Sequence, residues 1–394
     1  MELQKKGYLQ RESGVELLKV IAIFLIMLNH LTQTWFGFMD TLSVDSMNAQ
    51  QFILVIFRYC GTIGNLTFFA CSAWFLLDKR VSRKQKIVQL LLDNCVISVL
   101  YLIIPLATKA DYLTSKLVLR SVFPTTFENN WYITCYIVFY MLFPFLNKLL
   151  GSMERRTHLR AIIVLCILYI VINNFSLKAK YYYSALIVWV AIYFIIAYMK
   201  QYQGQYCDNK KRNVLVLCGA FLALIALVGG TWFVARKWHL DDIWLLRWLR
   251  VNNPIVIVMA IAALNVGRNL HFKSAVINYI ASLSFLIYII HENIIFRTYY
   301  RKYMWQFVCD RFGAHTIWAW ALLLAAVLFV ASVVAATLYK FTLQQLTQKF
   351  SVWILAVLRK PYLKIENKLI KTKKSQAFEP LQEHKEPVGS VKEE

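Results

Sequence analysis

The chain has 394 residues, of which 59% are hydrophobic and only 16% charged, against about 25% charged in ordinary soluble domains. That much apolar surface exceeds what a soluble core of this length buries, and it points to a polytopic membrane protein. The net charge of +23 does not indicate a nucleic-acid partner, because Lys and Arg cluster in the short gaps between apolar segments instead of forming one stripe.

In chain order, ten stretches are apolar enough to be candidate spans: 15–35, 52–77, 87–107, 131–150, 161–175, 181–199, 213–235, 253–268, 276–296 and 316–339. The first follows Lys5, Lys6 and Arg11, as a signal peptide's core would. It is too long for one and lacks a small-residue cleavage site, so it reads as a retained helix. The gaps 78–86, 151–160 and 200–212 are basic, as are the N-terminus and the tail after Lys340. The gap 36–51 carries Asp40 and Asp45 with no Lys or Arg. Gap 108–130 is mixed, and 236–252 and 297–315 break the alternation by carrying basic residues. The pattern predicts an all-α, polytopic helix bundle of about ten transmembrane helices, multi-pass in the cytoplasmic membrane, with both termini cytoplasmic. It divides into a membrane domain over 1–340, an interfacial helix over 341–363 and a disordered cytoplasmic tail over 364–394. None of the eight cysteines forms a C-x-x-C pair and most lie in apolar runs, so they read as packing residues and not as disulfides or zinc ligands.

An ionisable group inside a membrane helix is costly and marks a candidate site. Lys19 and His30 lie eleven residues apart in the first span, which puts them within about 20° of one helix face and roughly 16 Å apart along the axis. One stripe thus holds a cation towards the inner end and a proton-transfer group towards the outer end. Glu16, one turn before Lys19, is placed to pair with it. Taken singly, Lys19 also reads as a snorkelling lysine and His30 as a histidine satisfied by neighbouring helices. In the late span, Ser284, Tyr288 and His291 follow an i, i+4, i+7 spacing and share a face, as a polar lining or as interhelical glue. Glu292 falls about 100° away and reads as an external boundary residue. Arg58, in span two, needs a partner or a water-filled vestibule. Trp131 and Tyr132 open span four at the outer interface, where an aromatic belt would also put them.

The K-x10-H spacing of Lys19 and His30 resembles the R-x10-H motif of the integral-membrane acyltransferase family 3. Three further stretches are similar to that family's helices: LTFFACSAWFLLDK (66–79), WYITCYIVFYMLFPFLNKL (131–149) and SLSFLIYIIHENI (282–294). The likeness covers about residues 12–340, with Lys19 in place of the family's arginine and Ala73 in place of its glycine. Lysine keeps the charge but lacks the bidentate fork.

The resemblance implies transfer of an acyl group, commonly acetyl, from cytoplasmic acyl-CoA (acetyl-CoA) to a hydroxyl of a cell-surface polysaccharide or other envelope glycan, or a lipid-linked sugar. Neither a metal nor nucleic acid is implied, and membrane lipids are the remaining partners. Lys19, Arg58, Arg80 and Arg83 are the candidate cations for the donor's phosphates. His30 would act as general base or carry the acyl group itself, with His291, Tyr288 and Ser284 orienting it or bonding the developing oxyanion. Trp131 and Tyr132 are the candidate acceptor contacts. The chain carries no Gly-rich phosphate loop, H-E-x-x-H or G-x-S-x-G motif, and Asp241–Asp242 reads as a solvated loop pair. A transporter or exporter of polysaccharide or small solute is the rival reading, but it calls for Gly/Pro-broken helices in two matching halves, and no internal repeat is present.

Overall fold

The computed structural model describes residues 12–33, 44–45, 47–175, 184–241, 246, 248–312 and 316–373, and every regular element among them is helical. The first half comprises α1 (Gly14–Gln33), α2 (Ala49–Leu76), α3 (Lys84–Ala107), α4 (Ser115–Val122), α5 (Trp131–Ser152) and α6 (Arg155–Cys166). A π-helical turn, Ile167–Val171, prolongs α6 into Ile172–Phe175. The second half comprises α7 (Ala185–Tyr202), α8 (Lys210–Lys237), α9 (Pro254–Arg268), α10 (Ala275–Ser282), α11 (Ser284–His291), α12 (Arg301–Phe312), α13 (Ile317–Thr342) and α14 (Gln344–Lys373).

Seven of these, α1, α2, α3, α5, α7, α8 and α13, are long and apolar enough to cross a bilayer. Large apolar side chains such as Ile103, Phe145, Leu215, Phe233 and Leu338 point outward, more than half exposed, which suits lipid and not water. The chain is a multi-pass membrane protein. The other three expected spans take other forms. One is α6 with its π turn, one is the 15-residue α9, and the stretch 276–296 is divided at Leu283 into α10 and α11. Helix α14 runs ten residues past the expected end at 363, to Lys373. Asp40, Asp242 and the tail from 374 lie outside the described residues.

Local chemistry sets the helix starts. Asn48 caps α2 by accepting from the Gln51 amide at 2.9 Å while its own N–H donates to Gln51 Oε1 at 3.0 Å. Asn253 caps α9, whose first residue is Pro254, a position where a missing N–H costs nothing. Helices α1 and α2 form the centre: 56% and 61% of their apolar windows are buried in the bundle, against 11% for α8 at the rim. They run antiparallel and touch backbone to backbone. A Cβ on Gly64 would lie 2.5 Å from the Ala22 carbonyl oxygen, and one on Gly61 would overlap the Asn29 side chain.

Helix α1 and the α10–α11 pair run parallel and in register. Ser274 N–H donates to Ser13 Oγ at 2.7 Å at one end, and His30 meets His291 at the other, both across an offset of 261 residues. Helices α13 and α14 are fastened to α3 by the buried Asp93, which accepts from Tyr339 OH of α13 at 2.9 Å and from Thr347 Oγ1 and Gln344 Nε2 of α14 at 2.6 and 3.1 Å.

Candidate active site

The parallel register brings two histidines from opposite ends of the chain together inside the bundle. His30 and His291 are 7% and 1% exposed, and His30 Nδ1 lies 3.1 Å from His291 Nε2 and 3.0 Å from Glu292 Oε2. His291 Nδ1 sits 2.7 Å from the Ile287 carbonyl oxygen. A carbonyl only accepts, so that nitrogen carries the hydrogen and Nε2 of neutral His291 is an acceptor. His30 Nδ1 then faces two acceptors and must be the donor. The basic nitrogen of neutral His30 is therefore Nε2.

Glu292 is the hub of this cluster. Its Oε2 accepts from Arg301 Nη2 at 2.6 Å as well as from His30, and its Oε1 accepts from Arg297 Nη1 at 3.0 Å. Arg301, 1% exposed, also donates to the His291 carbonyl at 2.6 Å and to the His30 carbonyl at 3.2 Å, clasping both histidine backbones. Trp305 Nε1 donates to the Leu31 carbonyl at 3.0 Å and holds the same end of α1. One carboxylate between two guanidinium groups leaves the cluster net positive, which favours negative charge developing beside His30. His30, His291 and Glu292 also have the mutual spacing of a metal-ligand set. A dication there would have to displace Arg301 from Oε2 and sit beside two fixed positive charges. The donor set is better matched to proton transfer than to a metal.

Glu292 is not the external boundary residue that helical spacing implies. Helix α11 ends at His291, and the backbone of Glu292 (φ −104°, ψ 13°) turns its side chain back under the histidines. Arg297 and Arg301 are likewise not among the residues that helical spacing marks. Their one signal is that gap 297–315 breaks the charge alternation, and the reason is now evident: both arginines answer a buried carboxylate.

Arg58, expected among the donor-binding cations, is placed elsewhere. Because α2 is antiparallel to α1, Arg58 stands beside His30's neighbour, donating to Asn29 Oδ1 at 2.7 Å. Ser284 is likewise apart from the histidines, two turns away, with Oγ donating to the Ala281 carbonyl at 2.7 Å. Tyr288 stays with them, its ring 6.1 Å from His30 and 5.7 Å from His291. Trp131 and Tyr132 keep an edge-on ring contact, 5.6 Å between centroids, but differ in burial. Trp131 is 36% exposed at the rim, whereas Tyr132 is buried between Trp189 and Tyr288.

At the end of α1 that carries Lys19, two cavities of about 580 and 500 Å³ open side by side. Both are within the size range of small-molecule sites, about 300–1,000 Å³. They share Lys19, Phe75 and Lys79. The smaller one is lined in addition by Arg83 and Lys86 and, among the described residues, by no Asp or Glu, with Tyr136, Ser284 and Phe285 on its wall. Arg80 lines neither cavity, whereas Lys79 and Lys86, not anticipated, do. Lys19 is paired with Glu16 at 3.2 Å, as the spacing predicts. His30 lines neither cavity. Between them runs a series of ring contacts: Phe285 to Phe68 at 5.5 Å, Phe68 to Tyr132 at 5.9 Å, Tyr132 to Tyr288 at 5.7 Å, and then His30.

A cationic cavity at one end of α1 and a histidine–carboxylate cluster at the other are the two chemically distinctive places along this helix. A family model described as an acyltransferase domain matches residues 12–339. No curated protein and no solved structure matches the chain. The matched segment spans α1 to α13 and contains the histidine cluster and both cavities, so the chain belongs to the acyltransferase family 3 of membrane acyltransferases.

Proposed function

We propose that this protein transfers an acyl group, commonly acetyl, from cytoplasmic acyl-CoA to a hydroxyl of a cell-surface polysaccharide or other envelope glycan. The observation that carries this reading is the pairing of a carboxylate-free cationic cavity with the buried His30–His291–Glu292 cluster farther along the same helix. The positive-inside pattern supports ten crossings in the cytoplasmic membrane, with both termini and the cavity mouth facing the cytosol. Lys19, Lys79, Arg83 and Lys86 then hold the donor's phosphates where it is made, and its nearly uncharged arm enters between the helices. The rise from Lys19 to His30 is roughly 16 Å. The aromatic series must part for the thioester to complete that path.

At the cluster, the acceptor hydroxyl loses its proton to His30 Nε2 as its oxygen attacks the thioester carbonyl. The tetrahedral oxyanion forms beside the net-positive Arg297–Arg301 pair. Collapse breaks the C–S bond, and the proton held by His30 passes to the departing sulfur, giving ester and free thiol. Glu292 holds the Nδ1 hydrogen throughout and neutralises the imidazolium that forms between the two steps. A route in which His30 itself carries the acyl group uses the same nitrogen. Purified wild-type protein in proteoliposomes should transfer labelled acetyl from acetyl-CoA to a glycan acceptor, and His30→Ala should abolish transfer while inserting normally. Full transfer by an inserted His30→Ala protein refutes the assignment.

A further inference from the structure

The two cavities differ in a way the donor's phosphates do not explain. Resting on the acyl-CoA reading above, we infer that the larger cavity, on the far side of the Lys19–Phe75–Lys79 ridge, takes the nucleoside end of the donor, with Arg268 as its recognition residue.

The charge partition comes first. The smaller cavity carries cations and no carboxylate, which suits phosphate. The larger one mixes Lys19, Lys79 and Arg268 with Glu12 and Glu16. Carboxylates repel phosphate but accept hydrogen bonds from an exocyclic amine or ribose hydroxyls, so this lobe suits a base and sugar. Arg268 is built for a planar partner. Its guanidinium stacks on Trp74, with Cζ 3.7 Å from the ring centroid, while Trp74 is also approached by Lys200 Nζ at 4.3 Å. Held flat in this way, Arg268 reaches Asp208 through Nη2 at 3.3 Å and keeps 20% of its side chain exposed. A guanidinium on the cavity wall presents its N–H donors in one plane, and a base ring nitrogen or a ribose oxygen accepts from those that Asp208 leaves. Phe75, 41% exposed and common to both cavities, offers a face at the junction. The donor then lies across the ridge: nucleoside against Arg268, diphosphate between the Lys19–Lys79 ridge and Arg83 and Lys86, and the uncharged arm along Phe68, Ser72 and Phe285 towards His30.

The test is binding of CoA and of 4′-phosphopantetheine, which lacks the nucleoside, to wild-type protein and to R268Q and K86A, with melting curves to verify folding. R268Q should weaken CoA at least tenfold and leave phosphopantetheine within twofold, whereas K86A should weaken both. Equal effects of R268Q on the two ligands, or none, overturn the assignment. An 8-azidoadenine derivative of CoA gives a readout on the unaltered chain. It should crosslink to the peptides bearing Glu12–Lys19, Trp74–Lys79 or Arg268; exclusive labelling of the Arg83–Lys86 and Tyr136–Tyr140 peptides overturns the assignment. If wild-type protein binds neither CoA nor phosphopantetheine, the donor reading itself fails; if it binds both and R268Q does not discriminate, only the nucleoside lobe does.

Discussion

Replacing Glu292 by glutamine changes one oxygen to nitrogen and removes the charge at the hub of the cluster. The carboxylate accepts three charge-assisted hydrogen bonds, at 2.6 Å from Arg301, 3.0 Å from Arg297 and 3.0 Å from His30. Glutamine keeps one acceptor oxygen and turns an NH₂ towards groups that only donate. Each lost bond of this kind is worth about 1.5–3 kcal/mol, and breaking a buried pair costs about 3–5 kcal/mol because the arginines stay behind uncompensated. The buried Arg301 bears most of this, since Arg297 is 29% exposed and can reach water. We expect E292Q to melt several degrees lower yet remain folded when lipid-embedded. Without the negative charge, His30 loses the anion that stabilises its imidazolium, and the one remaining amide oxygen is contested by Arg301, Arg297 and the Nδ1 hydrogen. The transfer rate should fall by about 10²–10⁴-fold, the usual scale of general acid–base assistance. The KM for acyl-CoA should hardly move, because Glu292 lines neither cavity. The assay is labelled acetyl transfer in proteoliposomes at saturating and limiting donor, with a melting curve on the same sample. E292Q added to His30→Ala should cost no further activity, because the two act as one unit. A folded E292Q with wild-type kcat, or a raised KM at unchanged kcat, refutes the proton-transfer role.

Three other perturbations probe the scaffold. Gly64→Leu places a side chain against the Ala22 carbonyl, where even a Cβ stands only 2.5 Å away, and should cost at least about 1–3 kcal/mol, read as loss of the monodisperse folded peak. Asp93→Asn removes the charge that gathers Tyr339, Gln344 and Thr347; a loss of about 1–3 kcal/mol should appear as faster proteolytic release of α14. Phe285→Ala opens the wall between the cationic cavity and the Tyr288–His30 end, and should raise acceptor-independent hydrolysis of acyl-CoA; unchanged hydrolysis counts against the aromatic barrier.

The parts of this site legible in the sequence are those on uninterrupted α-helix. Lys19 and His30 lie on one regular helix, to which 100° per residue applies, and Glu16 pairs with Lys19 as that spacing requires. The same rule fails wherever the helix stops or changes pitch. Glu292 is the first residue beyond α11, and Arg297 lies in the π-helical turn Phe296–Tyr300, just ahead of Arg301; no α-helical wheel puts these three side chains together. Ser284 and His291 share a face, as their spacing requires, yet a shared face at two turns' separation serves two different places, the cavity wall and the cluster. Hydropathy is blind to the break at Leu283 because both sides of it are apolar.

Charge counting failed in a more instructive way. Positive-inside reasoning treats every loop arginine as solvated, so arginines in gap 297–315 look like exceptions to the topology. Their positions follow instead from the cost of an unpaired buried carboxylate, which two guanidinium groups offset. A charge that violates the topological pattern next to a buried ionisable run is thus better read as a partner for something inside than as noise in the loop. By that criterion Arg297 and Arg301 mark the site as strongly as the histidine motif does, and through a different physical signal.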